Sequence, residues 1–339
     1  MEPRLRVIDV DCARGDYRYE KEHLPSLGVD LVFRLAQTED SIITACVDAD
    51  FVLLEHAATP VTSRVIQGLA RCRAIVKYSV GVENVDLSEA TRQGIVVCNA
   101  PDYCTEDVSD HAVALLLAGA RRIVAMDRHI RGGGWSDFPQ ASGIRRVRSM
   151  TLGLVGLGRI GRATARKMSS FGLRILVADP FLPPGSVPAG MERVTLETLL
   201  QQSDLISIHV PLSPQTHGMI GEAQLRLMKS SAILVNTSRG PVIDESALVR
   251  ALREGRLSGA ALDVFAVEPL PAGSPLRELD NVTLTPHHGA GSIEARAESV
   301  ATVVKSIGAI ARGYWPPFPV NRDVKPRHPL KPWAELPEP

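Results

Sequence analysis

The sequence predicts an α/β fold of parallel sheets in two domains, the second of them doubly wound. Three observations carry that expectation. At 339 residues the chain is long enough to bury about two cores. Short apolar runs alternate with helical stretches along most of its length, the pattern that parallel strands with helical crossovers require. A glycine-rich turn, Gly156-Leu157-Gly158-Arg159-Ile160-Gly161, stands between an apolar strand and a helix.

In the first hundred residues, Arg6–Val10, Asp50–Leu54, Ala74–Tyr78 and Ile95–Cys98 read as strands. Ser63–Ala70 and Ser88–Gln93 read as helices between them, the latter ended by Gly94. A long helix is expected from about Glu106 to Met126, around the apolar run Ala112–Ala118. Gly132-Gly133-Gly134-Trp135 and a segment with Arg145, Arg146 and Arg148 then read as a connector, its arginines either as a solvated basic run or as contacts to the substrate.

The second series opens with strand Thr151–Val155, helix Arg162–Phe171 and strand Ile175–Asp179. Helix Leu196–Gln202, strand Leu205–Val210, helix Gly221–Leu227 and strand Ala232–Asn236 follow. Helix Glu245–Glu254 and strands Gly259–Val264 and Val282–Leu284 complete it. Six strands with helices between them match a doubly wound dinucleotide-binding sheet. A helix over Ile293–Ala311 can return to the first domain. The proline-rich end (Pro316, Pro317, Pro319, Pro326, Pro329, Pro332, Pro337, Pro339) is expected to be extended or disordered.

Composition narrows the function classes. The chain is 45% hydrophobic and 22% charged, in the ordinary globular range. Lys plus Arg and Asp plus Glu are both 38, and aromatics are only 4%, so neither nucleic acid nor a membrane surface is an expected partner. There is no 18-residue apolar span, and Met1-Glu2-Pro3-Arg4 does not open a signal peptide. Five cysteines without C-x-x-C spacing read as free thiols in a reducing cytoplasm, and no metal is expected.

The glycine turn has a mechanical reading. Gly156 permits the tight turn, Gly158 lets backbone approach a pyrophosphate, and Gly161 allows close helix–strand packing. The helix that opens there presents unpaired N–H groups to phosphate. Asp179 ends the next strand, 18 residues after Gly161, and can accept from a ribose diol. A 2′-phosphate would meet its charge, so NAD is expected rather than NADP.

Further stretches carry a family resemblance. They are Ser79-Val80-Gly81-Val82-Glu83-Asn84-Val85-Asp86, the glycine turn, His209-Val210-Pro211-Leu212, Asn236–Gly240, Asp263–Pro269 and Pro286-His287. With these the chain resembles the D-2-hydroxyacid dehydrogenases from about residue 50 to 312. Val97-Cys98-Asn99 and the Arg145–Arg148 segment look most like the branch that holds the C-terminal-binding-protein corepressors and their bacterial relatives.

The resemblance implies two Rossmann-like domains, a doubly wound NAD domain inserted into a smaller flavodoxin-like substrate domain. On that pattern residues 1–100 and 291–325 bind substrate, 101–290 bind NAD, and 326–339 form a tail. The active site would lie in the interdomain cleft, with a homodimer formed through the NAD domain. Besides the glycines and Asp179, the cofactor site would include Arg159, Ile160, Pro180, His209, Val210, Pro211, Thr216, Thr237, Ser238, Asp263 and Gly289.

The chemistry implied is reversible hydride transfer between NAD(H) and a 2-oxo or 2-hydroxy acid. His287 is the expected general acid in reduction, its imidazolium favoured by Glu268, while Arg239 holds the substrate carboxylate with a planar fork. His288 competes with His287, but the family pattern places the acid directly after Pro286. His111, on the long helix, reads as a packed or hydrogen-bonded core residue. Ser79, Val80 and Gly81 would offer backbone N–H groups to the substrate. Lys77 reads either as a strand-end lysine or as a cation for a distal anion, as in phosphoglycerate-type relatives.

The chain also departs from pattern. Ala290 stands where the corepressor branch usually has Trp, Glu83 replaces the usual Asp, and Val80 stands where phosphite-oxidising relatives carry Lys. A second class stays open: an NAD-sensing, corepressor-like binding protein, because such proteins keep the catalytic trio.

Overall fold

The computed structural model describes residues 4–12, 15–55, 59–135, 143–183 and 185–335. Met1, Glu2, Pro3, Pro337 and Pro339 of the sequence readings lie outside the described residues. The chain divides into two compact units, Met1–Tyr103 with Ser292–Pro339, and Cys104–Gly291.

The first unit holds five parallel strands, β1 (Leu5–Asp9), β2 (Val29–Phe33), β3 (Phe51–Leu54), β4 (Ala74–Lys77) and β5 (Val96–Cys98), in the order β2-β1-β3-β4-β5. That is the flavodoxin-like order. Because side chains alternate across a strand, neighbouring residues feed two cores. Ile8, Val52, Leu54 and Ile75 pack with Val65, Ile66 and Ile42 on one face. Val7, Phe51, Leu53 and Val76 pack on the other with Val303, Val304 and Ile307 of the closing helix Ile293–Ala311. Helices α1 (Arg18–His23), α2 (Glu39–Ala45), α3 (Ser63–Gly68) and α4 (Leu87–Arg92) make the crossovers. Thr38, Thr62 and Asp86 cap the last three by accepting from a first-turn amide.

Two features depart from expectation here. β2 and helices α1 and α2 had no place in the sequence reading; β2 is an edge strand with only one fully buried residue, so its apolar signal is weak. The proline-rich end, as far as Glu335, is also no loose tail. Arg327 donates to the carbonyls of Leu69 (2.6 Å) and Ala70 (2.9 Å), and Tyr314 and Lys331 form a β-bridge.

The second unit carries seven parallel strands. They are β6 (Thr151–Val155), β7 (Arg174–Ala178), β8 (Met191–Arg193), β9 (Leu205–Ile208), β10 (Ile233–Asn236), β11 (Gly259–Leu262) and β12 (Val282–Leu284). Their order, β12-β11-β10-β9-β6-β7-β8, reverses direction between β6 and β9. Ligands of such sheets sit outside the carboxyl ends of the strands at that reversal. Helices α5 (Thr105–Ala120), α6 (Ile123–Arg131), α7 (Arg159–Ser169), α8 (Leu196–Gln202), α9 (Glu222–Leu227) and α10 (Glu245–Arg253) accompany the strands. Both faces of the sheet are covered by apolar clusters.

The seventh strand, β8, escaped the sequence reading because it is short, exposed and at the edge. The single helix expected over 106–126 is two. Arg122 takes a left-handed conformation (φ +57°) and donates to the Ser258 carbonyl (3.1 Å) and hydroxyl, turning the chain between α5 and α6. Of the connector arginines, Arg145 is no free cation. It donates to Asp204 Oδ1 (2.9 Å) and the Ser149 carbonyl (2.8 Å), while Arg146 and Arg148 are exposed. No helix among the described residues is long and apolar enough to cross a membrane.

Candidate active site

The glycine turn follows β6 at the strand reversal. Gly156 has φ +93°, and a Cβ there would lie 2.9 Å from the His209 carbonyl oxygen. At Gly161 a Cβ would lie 2.5 Å from the Gly156 oxygen, so helix and turn touch backbone to backbone. Around Gly158 the reverse holds: nothing comes within 4 Å of a Cβ position. Gly158 is also the N-cap of α7 and supplies no capping side chain to the first turn, which holds Arg159 and Ile160.

Asp179 closes the other side. Its two carboxylate oxygens accept from the Leu157 amide (2.9 Å) and the Phe181 amide (3.0 Å), which orients the group at the end of β7. Pro180 beside it is exposed. After β9, the His209 amide donates to the Val155 carbonyl (2.8 Å), and Val210 lies against Gly156. Burial of the His209 ring lowers its pKa to about 4, and the neutral ring bonds Ser207 Oγ at 2.9 Å. Thr216 Oγ1 donates to the Pro211 carbonyl (2.6 Å) and accepts from the Ser213 amide (2.8 Å), so this hydroxyl mainly shapes the turn.

The residues after β10, β11 and β12 converge. Asn236 accepts from the Ser238 amide (3.0 Å) and hydroxyl (2.8 Å) and donates to the Arg239 carbonyl (2.9 Å). Gly240 then packs on the Phe265 backbone so closely that a Cβ would stand 1.9 Å from its carbonyl carbon. This contact brings the Arg239 turn to the segment that bears Glu268. Thr237 is buried, and its hydroxyl has no hydrogen-bond partner. A buried polar atom left open just past β10 fits a ligand with polar groups of its own, as a dinucleotide has.

Glu268 and His287 meet directly. Glu268 Oε1 accepts from the Phe265 amide (2.9 Å), and Oε2 lies 2.6 Å from His287 Nδ1. Burial alone would raise the Glu268 pKa. The hydrogen bonds from His287 and Phe265 and the Arg239 charge outweigh it and hold the carboxyl below its ordinary value. An ionised carboxylate only accepts, so Nδ1 carries the proton toward Glu268 and Nε2 is the other working nitrogen. The His288 ring lies over Gly291, 2.2 Å from a Cβ position there.

His287 itself stands at φ +51°, and its amide donates to the Asp263 carbonyl at 2.7 Å. Asp263, 2% exposed, accepts through its side chain from Thr285 Oγ1 (2.6 Å) and from the amides of His288 and Gly289 (both 2.9 Å). Burial alone would raise its pKa, but the bonds from His111, Thr285, His288 and Gly289 hold it well below the usual carboxylate range. His111, Asn236 and Thr285 are therefore parts of the site that the sequence reading left in the core or did not single out. Nothing local marks them: His111 and Thr285 lie 174 residues apart in the chain.

In the first unit, Lys77 is fully buried, with its ammonium on the Asn84 side chain, whose amide donates to the Thr59 carbonyl (2.6 Å). Ser79 Oγ donates to the Gly81 carbonyl (3.1 Å), and the Val80 carbonyl accepts from Asn99 (2.6 Å). Lys77 is thus not a solvated lysine. Among the described residues no group of three or more His, Cys, Asp or Glu side chains could hold a metal.

A doubly wound sheet with a glycine cradle at its reversal, and in the same unit a carboxylate–imidazole pair with an arginine close to it, defines a dinucleotide-dependent oxidoreductase. Residues 113–289 match the family model described as D-isomer specific 2-hydroxyacid dehydrogenase, NAD binding domain, and the chain belongs to that family. It is an NAD-dependent oxidoreductase of the CH–OH group.

The glyoxylate reductase of Korarchaeum cryptofilum is 42% identical over 327 residues, 96% of this chain and 97% of the relative. The D-lactate dehydrogenase of Aquifex aeolicus, solved with NAD and lactic acid, superposes with TM-score 0.81 at 29% identity, covering 91% of this chain and 96% of that one. An NADPH-dependent glyoxylate/hydroxypyruvate reductase of Sinorhizobium meliloti, solved with NADP and malonate, gives 0.83 at 28%, covering 96% and 100%. These likenesses to enzymes favour the dehydrogenase over the corepressor reading. They add nothing to the likeness to the corepressor branch.

Proposed function

We propose that the chain reduces a small 2-oxo acid of the glyoxylate type, with NADH as the preferred cofactor. The 2.6 Å contact between Glu268 and His287 is the observation that carries this reading, because it leaves Nε2 as the proton donor. Bound nicotinamide would supply the hydride. His287 Nε2 delivers the proton to the carbonyl oxygen, Glu268 holds the ring and balances its charge, and Arg239 binds the substrate carboxylate. The Ser79-Val80-Gly81 loop of the first unit would offer backbone N–H groups to a substrate carboxylate. Lys77, engaged by Asn84, supports this loop rather than a distal phosphate, so a small acid is favoured over a phosphoglycerate-like one. Reduction of a panel of 2-oxo acids, followed as NADH loss, tests the proposal. NADH binding without turnover on any of them would defeat it.

The cofactor would rest on Gly156, Gly158 and Gly161, with its phosphates at Arg159 and Ile160. Its adenosine diol would lie on Asp179 beside Pro180, with Val210, Pro211 and Thr216 beyond. Thr237, Ser238, Asp263 and Gly289 would face the nicotinamide end. On this reading, residues 1–100 and 291–325 serve the substrate and 101–290 the cofactor. Asp179→Ser removes a charge that repels a 2′-phosphate. The ratio of kcat/KM for NADH over NADPH is expected to fall by about a hundredfold or more, equivalent to roughly 3 kcal/mol. An unchanged ratio would place the discriminating group elsewhere.

Helix α6 supports a homodimer through the same unit. It has no buried residue, and Ile123 and Ile130, two turns apart on one face, are about half exposed. Light scattering after size exclusion is expected to find a dimer that Ile123→Glu/Ile130→Glu converts to monomer. A monomeric wild type would refute the arrangement. Cytoplasmic residence is proposed on the five free cysteines, four of them buried.

A further inference from the structure

His111 projects from α5 toward the loop that carries His287. Its Nε2 lies 3.0 Å from Thr285 Oγ1 and 3.4 Å from Asp263 Oδ1. The same Thr285 hydroxyl is 2.6 Å from Asp263 Oδ1. A carboxylate only accepts, so the Thr285 O–H points to Asp263 and its oxygen is left to accept from His111 Nε2–H. The donors are thereby ordered: His111 to Thr285, Thr285 to Asp263.

Asp263 is where the loop is fastened. Its carboxylate takes the amides of His288 and Gly289, and its own carbonyl takes the amide of His287. These bonds matter because His287 holds φ +51°, a region that a residue with a Cβ leaves when nothing constrains it. Losing the conformation would turn the ring away from Glu268. The Thr285 amide on the Leu262 carbonyl (3.0 Å) ties the start of the loop to β11, and His111 links it to α5 through the Thr285 hydroxyl and, at 3.4 Å, through the Asp263 carboxylate.

We propose that His111 is a positioning residue for the reaction, which through Thr285 and Asp263 keeps His287 on Glu268 with Nε2 available for proton transfer. The inference rests on the reading of His287 as the general acid. Among the described residues the hydrogen bonds of His111 run to the loop and not to Glu268 or His287.

The test compares His111→Leu, His111→Gln, Thr285→Val and the double variant His111→Leu/Thr285→Val, with glyoxylate and NADH as probes. His111→Leu removes the donor and is expected to lower kcat by about thirty- to a hundredfold, the scale of a misplaced catalytic group. His111→Gln keeps an N–H near the Nε2 position and is expected to recover most of that loss. Thr285→Val cuts the same path, so the double variant is expected to lose no more than the worse single one.

Three results would overturn the inference: kcat within about twofold of wild type in His111→Leu, equal losses in the Leu and Gln variants, or losses that multiply in the double variant. If His111→Leu fails to fold, Thr285→Val against Thr285→Ser decides the matter, since only serine keeps the hydroxyl. His287→Ala, assayed alongside, separates the two claims. An active His287→Ala defeats the acid assignment, whereas an inert one beside an unaffected His111→Leu defeats the positioning role alone.

Discussion

His287→Ala is expected to lower kcat for 2-oxo acid reduction by about a hundred- to ten-thousand-fold, the range of a positioned general acid. NADH affinity is expected to stay within about threefold, because the change deletes a ring and leaves the glycine cradle intact. The Glu268 carboxyl would report the same substitution. Its pKa lies below the ordinary value partly because His287 donates to it, so removing the ring lets it climb back.

The sign for acidity follows from that direction. A carboxyl depressed in the folded state stabilises it above its unfolded value, near 4.3 for Glu, and loses the contribution as pH falls through the lower folded value. The Glu268 carboxylate is therefore ionised at neutral pH and stops accepting from His287 only in acid. A His287→Ala enzyme with wild-type kcat, or one whose Glu268 titrates as before, would remove His287 from the chemistry.

Much of this site was legible because a few local rules leave marks in the chain. A glycine is demanded where a Cβ would strike the His209 carbonyl, as at Gly156, and where a helix must touch a turn, as at Gly161. Those demands stand next to each other in sequence, so the cradle announces itself. Arg239, Glu268 and His287 each sit just past a strand end, and their order follows the strands β10, β11 and β12.

What was not legible depends on distance in space alone. His111 sits in an apolar helix and reads as core until Thr285 is brought to it. The break at Arg122 is equally silent, since the residue has good helix propensity and its bonds to the distant Ser258 help hold the left-handed turn. Edge strands β2 and β8 were missed for another reason. A strand exposed on one side carries little of the apolar signal that marks β3, β4 or β9, each of them buried throughout.

Arg239→Lys keeps the charge and removes the fork, and it is expected to lower kcat/KM for the 2-oxo acid by about a hundred- to a thousandfold. A guanidinium offers parallel N–H groups to both oxygens of a carboxylate, while an ammonium offers a compact charge on a flexible stem. The turn that carries the residue is rigid enough to make the difference count. Asn236 ties the Ser238 amide and the Arg239 carbonyl, Arg239 Nη1 donates to the Ser238 carbonyl (2.7 Å), and Gly240 admits no displacement toward Phe265. Lysine cannot move the backbone to compensate.

The loss should fall on KM for the oxo acid as well as on kcat, because carboxylate binding is present before the transition state and tightens the approach to it. NADH binding should be spared. The Glu268 carboxyl should remain below its ordinary value, since the positive charge nearby survives the exchange. Steady-state kinetics of Arg239→Lys beside Arg239→Ala separates the two contributions. If lysine restores wild-type kcat/KM, charge alone recognises the substrate; if lysine is as poor as alanine, the planar fork carries nearly all of the recognition.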